Sequence, residues 1–194
     1  MSAAFGNKAG DHVGGQVGPE SAVVVRWLCH DMANPVSTLL TASELLADSC
    51  DSEINGLITE AIRKLAARLR MVRMAMGSSS TLAQPALEKL LAEALTETPV
   101  RLALSANTAV PGSLVAGAAL ILSELAARAA LFIDDKGAHW TDGRMLPENA
   151  VAALEGRETG DARSAMIALV AAQARVGGWV LEAQASGLGF QQAG

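Results

Sequence analysis

Aromatic side chains make up only 3% of the 194 residues, and tyrosine is missing altogether. A β-sandwich normally draws on more aromatic and β-branched residues than this, so that class is disfavoured. Cysteine is scarce too. Cys29 and Cys50 are the whole complement; they form no CxxC pair, and no set of Cys and His has zinc-ligand spacing. They read as reduced thiols in a cytosolic chain. Positive charge is in deficit, with a formal net charge of -5 and no basic cluster at either end, which suits nucleic-acid binding poorly. No apolar run is long enough to cross a bilayer. The N-terminus has neither the charged start nor the continuous apolar stretch of a signal peptide. The expectation is a cytoplasmic protein with no nucleic-acid and no membrane partner.

What the sequence does have is aliphatic. Hydrophobic residues reach 51%, and Ala and Leu dominate them, a composition that favours helices packed through small side chains. The length allows one sizeable domain or two small ones. Residues 1–19 are rich in Gly and polar residues and read as a flexible arm, with His12 a solvated member of it. A long helix is predicted over Ser21 to Asp48, started by Pro19 and Ser21. Pro35 lies inside it and should kink it. Val25, Leu28, Met32, Val36, Leu39 and Leu46 recur on one side at helical spacing, with Ser43 in the same row; Arg26, His30, Asn34, Ser37, Thr41, Glu44 and Asp48 fall on the other.

Ser49 to Ser52 read as a short polar turn. A second helix is predicted from Glu53 to Met76, with an apolar stripe of Ile54, Leu57, Ile58, Ala61, Ile62, Leu65, Leu69, Val72 and Met76. Its outer face carries Arg63, Lys64, Arg68, Arg70 and Arg73, which most simply form a solvated face. Two amphipathic helices joined by a tight turn make an antiparallel hairpin. A hairpin alone leaves its stripes uncovered, so two copies related by a two-fold axis are expected to form a homodimeric four-helix bundle.

Gly77 to Ser80 read as a linker. Beyond it the pattern predicts a helix over Pro85 to Thr96, a strand over Val100 to Leu104, a buried helix over Gly112 to Leu131, a short strand within Ala138 to Arg144, a helix over Asp161 to Val176 and a closing strand over Trp179 to Ala183. The expected class is α+β: a helical hairpin over residues 20–77, then a small helix–sheet sandwich over residues 78–194.

The segment that carries chemistry is Leu28-Cys29-His30-Asp31-Met32-Ala33-Asn34-Pro35. An imidazole can attack phosphorus with one nitrogen while the other holds the proton. Asp31 could orient that ring or accept its proton, and Asn34 is one helical turn further on. A metal site built from Cys29, His30 and Asp31 is disfavoured, because adjacent helical residues point in different directions. A lone histidine on a polar helix face is usually just solvated; the acid, Asn and Pro at fixed offsets are what set His30 apart. His139, near a strand edge, reads as structural.

HDMANP resembles the H-[ED]-x-x-[TN]-P box of the dimerisation and phosphoacceptor domain of sensor histidine kinases, matching at His30, Asp31, Asn34 and Pro35. The helix–turn–helix layout of residues 21–76 resembles that domain too. LILSELAARAALF resembles the kinase helix with the context E-L-x-x-N-A: Glu124 and Leu125 match, while Arg128 stands in place of the Mg-ATP asparagine. Asp142-Gly143, followed by Arg144, is the nearest match to the D-x-G-x-G loop, and Gly160-Asp161-Ala162-Arg163 occupies the place of the glycine-rich loop. A phosphoacceptor hairpin joined to a degenerate ATPase-like domain resembles the ChpT family of alphaproteobacterial histidine phosphotransferases.

That resemblance implies a phosphotransfer protein, not an autophosphorylating kinase. It would relay phosphoryl groups through His30 between a hybrid histidine kinase and response-regulator receiver domains. It implies no bound cofactor, with Mg²⁺ supplied by the receiver. Receivers are expected to dock on Ser37, Thr38, Thr41 and Glu44, between the box and the turn. The alternatives are an ATP-dependent sensor kinase fragment, a non-catalytic dimerisation scaffold with a vestigial box, and an Ala-rich helical protein with an accidental motif.

Overall fold

The computed structural model describes residues 19–48, 52–77, 82–157 and 161–194. The arm with His12, the tip of the turn with Cys50, most of the linker and Gly160 lie outside the described residues. The chain is a mixed α+β protein. The described residues run α1 (Pro19–Asp48), α2 (Ser52–Ala75), α3 (Gln84–Ala94), β1 (Val100–Ala103), α4 (Gly112–Leu125), β2 (Leu131–Asp134), β3 (Gly137–Trp140), α5 (Glu148–Leu154), α6 (Ala162–Val176), β4 (Trp179–Gln184) and β5 (Gly187–Gln192).

α1 and α2 pack on each other as the predicted hairpin. α1 continues through Pro35. The two apolar stripes do not behave uniformly along its length. Near the base, Ala67, Met71, Val72, Met74 and Ala75 of α2 are buried, together with Trp27 of α1, in one cluster with residues of α3, α4, α6 and the sheet. Further out, Leu40, Leu45, Leu57 and Ile62 are all more than half exposed. The expectation that a second copy must cover the whole stripe is therefore corrected for its lower part. The chain's own C-terminal layer buries that end.

The sheet has the order β1-β2-β3-β5-β4. β1 and β2 are parallel, and α4 is the crossover between them. The remaining pairs are antiparallel. α4 is buried along most of its length, as a helix between a sheet and other helices should be. At Gly117 it approaches two of them closely: an added Cβ would stand 2.7 Å from Val170 Cγ1 of α6 and 3.9 Å from Ala75 Cβ of α2.

Four elements, α4, β2, α5 and β5, differ from the sequence-based expectation. α4 stops at Leu125, not Leu131, because residues 131–134 are needed as β2 beside β1. The run Ala126 to Leu131, apolar but for Arg128, reads as readily as a continuation of the helix as a loop leading into a strand. α5 and β5 were not anticipated. β5 carries Gly187 and Gly189, which ordinarily argue against a strand. His139 lies within the inner strand β3, paired with Phe132 of β2 and Gly187 of β5, and so away from the sheet's edges. Its ring is tilted against Phe132, with centroids 5.3 Å apart.

Candidate functional site

The H-D-x-x-N-P box lies on α1. The side chains of His30, Asp31 and Asn34 are outside the described residues, so only their place on the helix is given. Around them, Cys29 and Ala33 are exposed, Met32 and Pro35 are half-buried, and Trp27 is buried. Trp27 stands one turn before position 30. The docking candidates Ser37, Thr38, Thr41 and Glu44 are all exposed on α1. Ser37, Thr38 and Thr41 line an open groove of about 610 Å³ together with Pro35, Leu45 and, from α2, Leu57, Glu60 and Lys64. Glu44 does not line it. Within the groove Lys64 Nζ lies 2.6 Å from Glu60 Oε1. Its hydrogen bond and charge hold the Glu60 carboxyl below its ordinary value.

Among the described residues, no three His, Cys, Asp or Glu side chains gather into a metal-binding group. No helix there is long and apolar enough to cross a membrane.

The positions that resemble nucleotide-binding elements have partners of their own. Arg128 is beyond the end of α4, in a left-handed turn at φ 68°. Its Nε donates to Glu97 Oε2 at 3.1 Å and its backbone N–H to Thr98 Oγ1 at 3.3 Å. Placing it on the helix at the asparagine position is thus corrected: the helix has ended and the side chain is 78% exposed. Asp142 accepts from Arg144 Nε with both oxygens, at 3.0 and 2.9 Å. Those hydrogen bonds keep its pKa below the usual carboxylate value. The Arg144 guanidinium also sits over the Trp140 ring, 5.8 Å from its centroid. Trp140 is only 2% exposed and its indole N–H has no hydrogen-bond partner. Asp161 caps α6, accepting from the backbone N–H of Arg163 and of Ser164, each at 2.9 Å. Its carboxyl is held down first by the Ser164 hydroxyl and then by the Ser164 N–H.

Arg68 departs from the solvated-face expectation for α2. It is turned inward against Glu124 of α4, and the side chains are 14% and 18% exposed respectively. One Glu124 oxygen accepts from Arg68 Nη2, and the other accepts from the Trp27 indole N–H at 3.4 Å. The signal for this contact was present in the sequence. Glu124 is the single charged residue of GSLVAGAALILSEL, and a carboxylate in a buried helix requires a donor.

Comparisons with known proteins bear on the fold. A solved structure described as a bacterial phosphotransferase superposes with a TM-score of 0.62 at 21% identity, covering 88% of this chain and 94% of its own. This chain therefore shares its fold. No protein-family model and no curated protein matches the sequence.

Proposed function

We propose that this protein is a histidine phosphotransferase of the ChpT type. It passes phosphoryl groups between receiver-domain aspartates through His30 and does not bind ATP itself. The observation that carries the reading is the box His30-Asp31-x-x-Asn34-Pro35 on the first helix of a hairpin, in a fold shared with a phosphotransferase. The exposed row Ser37, Thr38, Thr41 and Glu44 beyond it gives a receiver an approach.

In the proposed reaction a receiver from a hybrid kinase presents a phospho-aspartate with its own Mg²⁺. An imidazole nitrogen of His30 attacks phosphorus in line. The N–P bond forms as the aspartyl O–P bond breaks, and the aspartate leaves as a carboxylate. Asp31 orients the ring or accepts the proton held on its other nitrogen, and Asn34 lies one turn further along the helix. A second receiver, on a response regulator, reverses the step. The chain supplies positioning, and the receiver supplies metal and acid pocket.

The distal half of the hairpin supports a homodimer. Leu40, Leu45, Leu57 and Ile62 are exposed at 61%, 52%, 56% and 53%, and two copies joined here would complete a four-helix bundle. The C-terminal layer then reads as a degenerate ATPase-like domain. Its Asp142 and Arg128 are engaged by Arg144 and Glu97, which favours phosphotransfer over an ATP-dependent kinase.

The test is incubation with a phosphorylated receiver. Wild type should acquire an acid-labile, base-stable label, and His30→Ala should not, with an unchanged fold. Label on His30→Ala would overturn the assignment.

A further inference from the structure

We infer that Glu124 is a positioning residue for the phosphoacceptor turn of α1, acting through Trp27 and Arg68; this rests on the phosphotransferase reading above. The argument begins with what holds α1 still. At its base the hairpin meets the C-terminal layer, and among the described residues Trp27 is the α1 residue buried in the shared cluster. The Glu124 carboxylate reaches both hairpin helices at once, with one oxygen toward the Trp27 indole of α1 and the other toward the Arg68 guanidinium of α2. α4 itself is fixed: Val115 to Leu122 are almost all fully buried, so the carboxylate sits on an immobile platform. Two contacts from one rigid group to two helices set how far α1 is rotated about its axis and how it slides along α2. Position 30 is three residues beyond Trp27, and a rotation of that turn changes where the acceptor points. In-line transfer between two proteins is sensitive to such aim, and a displacement of about 1 Å costs on the order of a hundredfold in rate.

The two hydrogen bonds also explain why the residue is a carboxylate. The two donors approach different oxygens of Glu124, and in glutamine one of those positions becomes an NH2 group, a donor facing the Trp27 or the Arg68 donor. Glu124→Gln therefore removes the double grip while preserving shape. Trp27→Phe removes only the indole donor.

The experiment measures the transfer rate from a phosphorylated receiver across receiver concentration, in the full-length protein, together with the indole ¹H–¹⁵N resonance of Trp27, assigned by its loss in Trp27→Phe. Glu124→Gln should move that resonance. It should lower the saturating rate by about tenfold or more, with the half-saturating receiver concentration unchanged within about twofold. Trp27→Phe should lose part of the same rate, and the double variant should be no slower than Glu124→Gln, because the two share one contact. A purely structural role would reduce thermal stability and leave the saturating rate of the folded protein intact; that result overturns the inference. A rise in half-saturating concentration alone would also overturn it, making Glu124 a receiver contact. If Glu124→Gln fails to fold, Trp27→Phe carries the test by its saturating rate and half-saturating receiver concentration. If wild type takes no label at all, the phosphotransfer reading falls. An unmoved Trp27 resonance in Glu124→Gln sinks the grip itself.

Discussion

Met71 offers a decisive perturbation, because it sits on a hairpin helix yet is 0% exposed within the cluster that also holds Leu120, Ile121, Met166 and Ile167 of the C-terminal layer. Met71→Ala deletes a long apolar side chain and leaves a methyl group. The cost has two parts, the lost transfer from water and the cavity left behind, and for buried Met-to-Ala changes these sum to about 2–5 kcal/mol. α2 packs on α1, α3 and α4, so little collapse is expected, and about 3 kcal/mol is a central figure. For a chain of this size each kcal/mol moves the melting temperature by about 2–4 °C, giving a fall of about 6–12 °C. The assay is differential scanning calorimetry with circular dichroism at a helix wavelength and tryptophan fluorescence recorded in parallel. All three should shift together in one transition, because the hairpin base and the layer share a core. Two transitions, with the one reported by Trp140 and Trp179 unmoved, would refute the reasoning. They would mean that hairpin and layer fold as independent units.

Other outcomes follow from separate features. Leu57→Glu, on the exposed distal half of the hairpin, should convert the proposed dimer to a monomer in light scattering without lowering helix content. Arg128→Asn should gain no melting shift with Mg-ATP, since the residue lies past the end of α4; a saturable shift would favour the kinase reading. Gly187→Ala would set a Cβ 2.1 Å from the Ala138 carbonyl oxygen and 2.5 Å from His139 Cα. A backbone clash of that kind should cost about 3 kcal/mol or more in denaturant unfolding. Asp161→Ala removes the α6 cap and should cost about 1 kcal/mol at neutral pH. Because the folded carboxyl is held below its ordinary value, its contribution is complete above the unfolded pKa and is lost as pH falls through the depressed folded pKa. The gap between wild type and variant should therefore close in acid.

The hairpin was legible because its periodicity runs unbroken for many turns, and α6 because Asp161 gives its start in plain view. β5 was hidden by its own requirement. Gly187 and Gly189 look like turn residues, yet at Gly187 the backbone of β3 leaves no room for a Cβ. β2 was missed, with its first residue, Leu131, assigned to the preceding helix, because four residues of alternating burial are too few to show a period. For the site, the box could be read from local offsets. The Arg68–Glu124 contact could not be read from the hairpin, since its partners are 56 positions apart. The missed clue was the isolated charge on α4, not any pattern on α2.

The packing of α1 against α6 has a consequence for biogenesis. The helix with the H-D-x-x-N-P box leaves the ribosome before residues 162–176, which supply one of its supports. Until those are made, α1 has α2 beside it but lacks its distant neighbour, and that closure spans most of the sequence. Such late, long-range contacts slow folding and leave apolar surface uncovered in the meantime. A nascent chain arrested before Ala162 should thus carry the complete box and still be a substrate for chaperones and proteases. The helix that carries the box is thus a finished part only once residues 162–176 have been synthesised.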